Sequence, residues 1–417
     1  MSENFSPLDE KVFEIIEKIS KVLEDSINDR NQRLKFYEKN RNIILLYLLF
    51  LAYLFFQILP LPINTLKIFN PEKLYLLENL NTNIMYSTIS LSPIDTYFQI
   101  LNYISLLLII LIFKMLFYTN RHRNRFNIFM SFLGFISSII AVYFYLSGNK
   151  DILLIKNSFY PDSATGFFIN RTVSAIFLLF CLISSFELFK EKDIKKLNYR
   201  DNYFLKIYLR LFIIFITLGI ITSFSRIANF LLLITVLYYL FYNIYSNKDK
   251  SFNYLILFVI IFDIAILGIY FGSSHIIDRF SFLKEEFASV NYDYTILSRL
   301  VIAQFSLNEI KNFIFFGYGA GAYEYLFQLK FINMGNNFAN HAHSDIIEFF
   351  GEFGLLGFTI LSICIVKILL KIYSINCLNF ILISFLIIIL AFDFSFHIPL
   401  IQVLFVLYFS LNKNLFS

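Results

Sequence analysis

The sequence predicts an all-α, polytopic transmembrane helix bundle of ten to twelve spans. Three observations carry that prediction. First, 58% of the 417 residues are hydrophobic and only 16% are charged, with a mean hydropathy of +0.66; a soluble domain carries roughly 25% charged residues. Second, apolar windows of about 20 residues recur along the chain, each long enough to cross a bilayer. Third, the basic residues gather in short loops between those windows, which is a topology signal. The net charge of +5 is modest, and no basic stripe with interleaved aromatics stands outside the apolar windows, so nucleic acid is not an expected partner. Cys181 and Cys364 lie in apolar runs and Cys377 in a short loop, with no Cys-x-x-Cys pair. Neither a disulfide framework nor a thiolate metal site is supported.

Residues 1–42 form a polar arm that does not read as a cleavable signal peptide. Ser6-Pro7-Leu8-Asp9 is a helix-start signal, and Val12, Ile15, Ile16, Ile19, Val22, Leu23 and Ile27 follow at helical spacing. The stripe makes an amphipathic helix for a membrane surface, a partner or the chain's own loops. Ten spans follow, at 43–60, 96–118, 128–147, 172–189, 207–222, 227–245, 253–271, 350–372, 379–394 and 399–412. The domain reading is therefore a cytoplasmic arm, 1–42, and a transmembrane domain, 43–412.

Threading those spans in order puts Arg121, Arg123 and Arg125, then Lys190, Lys192, Lys195, Lys196 and Arg200, then Lys248 and Lys250, then Lys367 and Lys371 on one side. Both termini fall there too, which makes that side cytoplasmic. The opposite side holds the loops 61–95 and 148–171, the turn 222–226 and the long segment 272–349. A segment of that length in a compact membrane protein is usually functional.

The long segment ends in His341-Ala342-His343-Ser344-Asp345-Ile346-Ile347-Glu348, followed by Gly351, Glu352, Gly354 and Gly357. Ser344 is a good helix cap and Asp345 an acid in the first turn. A helix starting there has its positive end beside His343, which disfavours imidazolium and keeps a neutral base; the same end attracts phosphate. A capping or loop histidine is the competing reading. Asp345, Glu348 and Glu352 share one helix face, and the glycines admit a close neighbour. A metal held by His341, His343 and Asp345 is disfavoured, because helical spacing points the two histidines to opposite faces. Arg226, Arg299 and Arg171, the last preceded by Asn170, also fall on the side where few basic residues are expected. They are interfacial anchors or, beside a neutral histidine, a grip on a pyrophosphate-linked substrate. Gly317-Tyr318-Gly319-Ala320-Gly321 lacks the Lys-Ser/Thr of a nucleotide loop and reads as a turn. Asp263 and Asp393 are acids in or at the end of spans, suited to a proton relay or to pairing across the bundle.

These residues together resemble the O-antigen ligase and polymerase superfamily of bacterial envelope polysaccharide enzymes. His343-Ser344-x-x-Ile347-Glu348 with Glu352 and Gly354 is similar to the family's signature; Ser225-Arg226, Leu297-Ser298-Arg299 with Gly317-Tyr318-Gly319, and Thr165 to Arg171 look like further elements. Many members have about twelve spans, and the commoner residue at Ser344 is Asn. The resemblance implies a GT-C-like, metal-independent glycosyltransferase of the bacterial inner membrane, without a cofactor, its catalytic segment 272–349 facing the periplasm. It would move a glycan from undecaprenyl pyrophosphate to an acceptor hydroxyl. Lipid A-core as acceptor makes a ligase, the favoured reading; a second lipid-linked glycan makes a polymerase. The resemblance gives His343 the catalytic role, Arg226, Arg299 and Arg171 the pyrophosphate, and Glu348, Ser344, His341 and Asn170 supporting roles. A secondary transporter gripping an anionic lipid is the rival class, and inverted repeats with broken helices would mark it.

Overall fold

The computed structural model describes residues 38–79, 84–117, 120–148, 151–152, 155–156, 163–190, 199–245, 253–259, 261, 299–331, 338–372 and 377–411. The predicted amphipathic stripe, Asp263, most of the predicted seventh span and the first part of the long segment lie outside the described residues.

The elements run α1 (Glu38–Ile58), β1 (Leu61–Pro62), α2 (Ile63–Phe69), α3 (Pro71–Asn79), β2 (Tyr86–Ser87), α4 (Pro93–Leu116), α5 (Asn120–Leu146), β3 (Asp151–Ile152), β4 (Ile155–Lys156), α6 (Arg171–Lys190), α7 (Tyr199–Thr222), α8 (Arg226–Tyr245), α9 (Arg299–Ile310), α10 (Tyr323–Lys330), α11 (Asp345–Ile372), α12 (Cys377–Phe392), a 3-10 turn (Ser395–His397) and α13 (Pro399–Ser410). The two strand pairs are antiparallel ladders of two residues each. Among the described residues, seven helices are long and apolar enough to cross a membrane: α1, α4, α5, α6, α7, α8 and α11. The chain is an all-α polytopic membrane protein. Helices α12 and α13 stand where the last two spans are predicted and are shorter than those seven; the 12 residues of α13 cover about 18 Å at ~1.5 Å per residue.

Helix α6 is the centre of the bundle. It is buried around its whole circumference, as expected of a helix apolar on every side. Gly134 of α5 allows a close approach to it, since a Cβ there would stand 2.3 Å from the Cβ of Cys181. Leu45, Leu49, Phe55, Leu108, Ile112 and Phe230 instead point outward, the arrangement of a surface that meets lipid.

Two contacts fix the relative directions of the helices around α6. The Tyr408 hydroxyl lies 2.5 Å from the Ser184 hydroxyl, joining the later halves of α13 and α6, so these two run parallel. Tyr238 stacks on Phe380 at 4.3 Å, joining late α8 to early α12, so those run antiparallel. The starts of α6, α8 and α13 and the end of α12 therefore share one end of the bundle. Arg123, Lys190 and Lys371 lie at the opposite end, where Lys371 Nζ donates to the Lys39 carbonyl at 2.8 Å.

Helix α11 is broken where the site is built. Gly354 sits at φ 60 and ψ −175 inside it, a conformation that essentially only glycine adopts. The backbone groups released there are satisfied by the segment 314–319. Tyr318 N donates to the Gly351 carbonyl (3.0 Å), Gly319 N to the Glu352 carbonyl (3.1 Å), and Leu355 N to the Ile314 carbonyl (2.7 Å). Gln57 Nε2 from α1 donates to the carbonyls of Glu352 and Phe316, both at 2.9 Å. A broken helix in a membrane protein needs such replacement partners. The Gly317 segment is thus a plug in the helix break, more than the turn read from the sequence.

Gly317 has φ 71, and a Cβ on it would stand 2.2 Å from the Glu352 carbonyl oxygen. Gly317→Ala is expected to destabilise the protein by about 2–4 kcal/mol from backbone strain and overpacking together. A melting curve in detergent should show it; an unchanged midpoint would contradict the plug.

Between α1 and α4 the 61–95 loop folds as a small cap. Lys73 is buried in it and donates to the carbonyls of Thr88 (2.9 Å) and Ser90 (2.5 Å); burial lowers its pKa to about 8. The cap is tied to the plug through Leu91 N, which donates to the Tyr318 carbonyl at 2.8 Å.

Candidate active site

The site gathers the loop 338–344, the first two turns of α11, the tip of the α12–α13 hairpin and the start of α9. Its organising residue is Glu348. One carboxylate oxygen pairs with His341 Nδ1 at 2.9 Å, and the other accepts from the Ala342 amide at 2.7 Å. Asp345 N donates to the Asp393 carbonyl at 3.0 Å. His343, caught between these anchors, has φ 57. A left-handed backbone costs a non-glycine residue about 1–2 kcal/mol, and such strain persists where the surroundings over-determine it, often at functional sites.

Phe394 separates the two histidines of the loop. His341 stacks on it at 4.8 Å and 11°, and His343 meets it edge-on at 5.2 Å and 75°. The opposite-face expectation rested on helical spacing, but residues 341–344 are not helical, so both rings contact one aromatic. Nδ1 of His343 is buried with no hydrogen-bond partner among the described residues. Burial lowers the pKa of His343 to about 4, with further lowering by the nearby charge of Arg299 and by His341; Glu348 opposes them. A neutral histidine was expected from the helix end, and burial with Arg299 supplies further physical causes.

The sequence reading missed His397. It is buried in the 3-10 turn between α12 and α13 and pairs through Nδ1 with Asp345 Oδ1. Asp345 Oδ2 accepts from Phe396 N at 2.9 Å. Nε2 of His397 lies 3.4 Å from Glu348 Oε1 and 3.5 Å from Glu352 Oε2, and Glu352 Oε1 accepts from the Gly321 amide at 2.7 Å. Burial alone would lower the pKa of His397; the carboxylates of Glu348 and Asp345 overcome it and hold it well above the usual range. The available signal was a histidine inside an otherwise apolar stretch, where an ionisable group is expensive without a partner.

The sequence-predicted residues divide into two groups. Arg299, at the start of α9, is close enough for its charge to act on His343 and Asp393. Arg171 and Arg226 open α6 and α8, at the same end of the bundle. Those two helix starts are neighbours: Ser225 Oγ donates to Thr172 Oγ1 at 3.2 Å. Among the described contacts around His343, Arg171 and Arg226 do not figure. Asn170 caps α6, its Oδ1 accepting from Thr172 N at 2.8 Å and Val173 N at 3.4 Å. The Ser344 hydroxyl donates to the Leu390 carbonyl at 3.5 Å, so its expected capping bond is replaced by a tie between α11 and α12.

The metal trio weighed from the sequence, His341, His343 and Asp345, is not what the fold brings together. The ligand atoms of His341, Glu348 and His397 lie within 4.8 Å of one another. A tetrahedral ion with ~2.1 Å bonds holds neighbouring ligands about 3.4 Å apart; Glu348 Oε1 is already 2.9 Å from His341 Nδ1 and 3.4 Å from His397 Nε2.

Residues 211–362 match the O-antigen ligase family model, Wzy_C. The matched range contains Arg226, Arg299, His341, His343, Ser344, Glu348 and Glu352; Asn170, Arg171 and His397 lie outside it. No curated protein matches the chain, and no solved structure does. Residues 211–362 are thus similar to an O-antigen ligase domain, and this supports a place for the chain in the O-antigen ligase and polymerase superfamily.

Proposed function

We propose that the protein transfers a glycan from undecaprenyl pyrophosphate to an acceptor hydroxyl, with lipid A-core as the acceptor, in the manner of an O-antigen ligase. The observation that carries this reading is His343, neutral and strained beside Arg299 in the domain that matches the O-antigen ligase family. In the proposed step the acceptor oxygen attacks the anomeric carbon of the glycan. His343 takes the hydroxyl proton through a ring nitrogen. The bond to the pyrophosphate oxygen breaks, and the electron pair leaves with undecaprenyl pyrophosphate. Arg299, with Arg226 and Arg171 at the same end of the bundle, stabilises the charge that develops on the leaving group. No metal is needed at the reacting atoms.

The basic end of the bundle is proposed to be cytoplasmic and the His343 end periplasmic, in the inner membrane of a bacterium. The division into a cytoplasmic arm, 1–42, and a transmembrane domain, 43–412, with 272–349 as its catalytic segment, belongs to the same proposal. Purified protein supplied with lipid-linked glycan and lipid A-core should form capped lipid A-core. Elongation of the donor alone would make the protein a polymerase, and no product with either acceptor would contradict a transferase.

The electrostatics make a further expectation. Free His343 has a pKa of about 4, so kcat/KM should be flat above pH ~5 and fall below it as the base is protonated. Bound pyrophosphate brings negative charge beside His343 and offsets Arg299, which raises the pKa in the complex. The acid limb of kcat should therefore lie above that of kcat/KM. A pH–rate series separates the two, and coincident limbs would contradict contact between the pyrophosphate and this pair.

A further inference from the structure

The buried acid cluster beneath His343 has no part in the transfer step as written. Asp345, Glu348 and Glu352 are each buried on the same face of α11. Three carboxylates so close repel one another unless they take up protons or a cationic partner lies among them. Among the described residues, the titratable groups that face them are His341 and His343 from the loop, Tyr103 from α4, Tyr318 from the plug, Tyr323 from α10 and His397 from the α12–α13 tip. Arg299 acts on His343 and Asp393 instead. Among the described residues, His397 is the one that reaches all three carboxylates, through Nδ1 to Asp345 and through Nε2, which makes no hydrogen bond, toward the gap between Glu348 (3.4 Å) and Glu352 (3.5 Å). Phe349 covers its ring at 4.2 Å.

We propose that His397 is a positioning residue, whose ring gathers Asp345, Glu348 and Glu352 into one clasp that holds His343 in its left-handed setting. The path is short. Glu348 holds His341 and the Ala342 amide, on one side of His343. Asp345 is fixed by His397 and by the Asp393 carbonyl, on the other. Removing the His397 ring takes from Glu348 the cation that holds it among its two acidic neighbours, and its turning away frees the amide that fixes His343. The proposal rests on His343 as the base, and it extends beyond the matched domain, which ends at residue 362.

The test compares wild type, His397→Gln, His397→Gln/Glu352→Gln and His343→Ala, purified in detergent. Two readouts are taken: steady-state transfer from lipid-linked glycan, and hydrogen–deuterium exchange of the amides over 341–345. His397→Gln should lower kcat by about 30-fold or more, with the donor KM within about threefold, because the lost interaction orients the base and does not bind donor. Its exchange at Ala342 should speed up about tenfold or more as the bond to Glu348 opens. Adding Glu352→Gln removes one of the repelling charges and should recover kcat by about fivefold. A kcat for His397→Gln within about threefold of wild type, unchanged exchange, or no recovery in the double variant would each overturn the proposal. So would a stoichiometric metal in wild type that His397→Gln loses, since a metal would then hold the cluster. If His397→Gln does not accumulate, His397→Asn takes its place in both readouts, and wild-type exchange there overturns the clasp. If wild type itself transfers nothing, the transferase reading fails, while the exchange comparison still decides the clasp.

Discussion

Replacing His343 with Ala is expected to lower kcat for glycan transfer by about 10³-fold, within the range of roughly 10²–10⁴ for loss of a general base. The donor KM should stay within about threefold, because His343 is assigned to the acceptor proton and not to pyrophosphate. The backbone complicates the alanine variant, since φ at this position is 57. His343→Asn resolves this. Asparagine tolerates the left-handed region, so it keeps the loop conformation and removes only the base. Both variants should lose activity alike. A His343→Asn protein that retains a tenth of the wild-type kcat would mean that loop geometry matters and the ring does not.

Arg299→Ala is the second large effect. Removing one preorganised charge from a leaving group reduces rates by about 10²–10³, and here the loss should appear in kcat/KM. A second consequence separates it from a merely structural change. The charge of Arg299 helps to hold the pKa of His343 down near 4, so its removal raises that pKa. The acid limb of the kcat/KM profile should move to higher pH in Arg299→Ala and stay in place in Arg299→Lys. Arg226→Ala should lower transfer without moving the limb, because Arg299 is the arginine whose charge holds the His343 pKa down. A limb that does not move in Arg299→Ala would place the arginine away from the base.

The parts of this protein that were legible in the sequence are those written in local patterns. Apolar windows placed the seven long apolar helices seen among the described residues, because each helix must satisfy its own backbone in lipid. The face shared by Asp345, Glu348 and Glu352 followed from helical spacing alone. What was not legible depends on contacts made across the chain. His397 meets Asp345 across 52 positions of sequence, and no periodicity reports such a pairing. The two histidines of 341–343 were placed on opposite faces by assuming a helix that begins only at Asp345. The break at Gly354 was hidden by glycines that read as a smooth packing stripe; the stripe is real at Gly351 and Gly357, which Tyr318 and Tyr53 approach. Asn170 and Ser344 show the same limit on a smaller scale. Each side chain is used locally, one as a helix cap and one as a tie to Leu390, and residue type alone does not distinguish such uses from contact with a substrate.

The central claim is that His343 and Arg299 together break the bond between a glycan and undecaprenyl pyrophosphate. The most direct measurement is release of undecaprenyl pyrophosphate from a lipid-linked glycan, in single turnover, by purified wild type, His343→Asn and Arg299→Ala, with acceptor present. The account predicts acceptor-dependent release by wild type and a loss of about 10²-fold or more in each variant. Release by His343→Asn at the wild-type rate, or donor bound tightly and never cleaved by wild type, would contradict it.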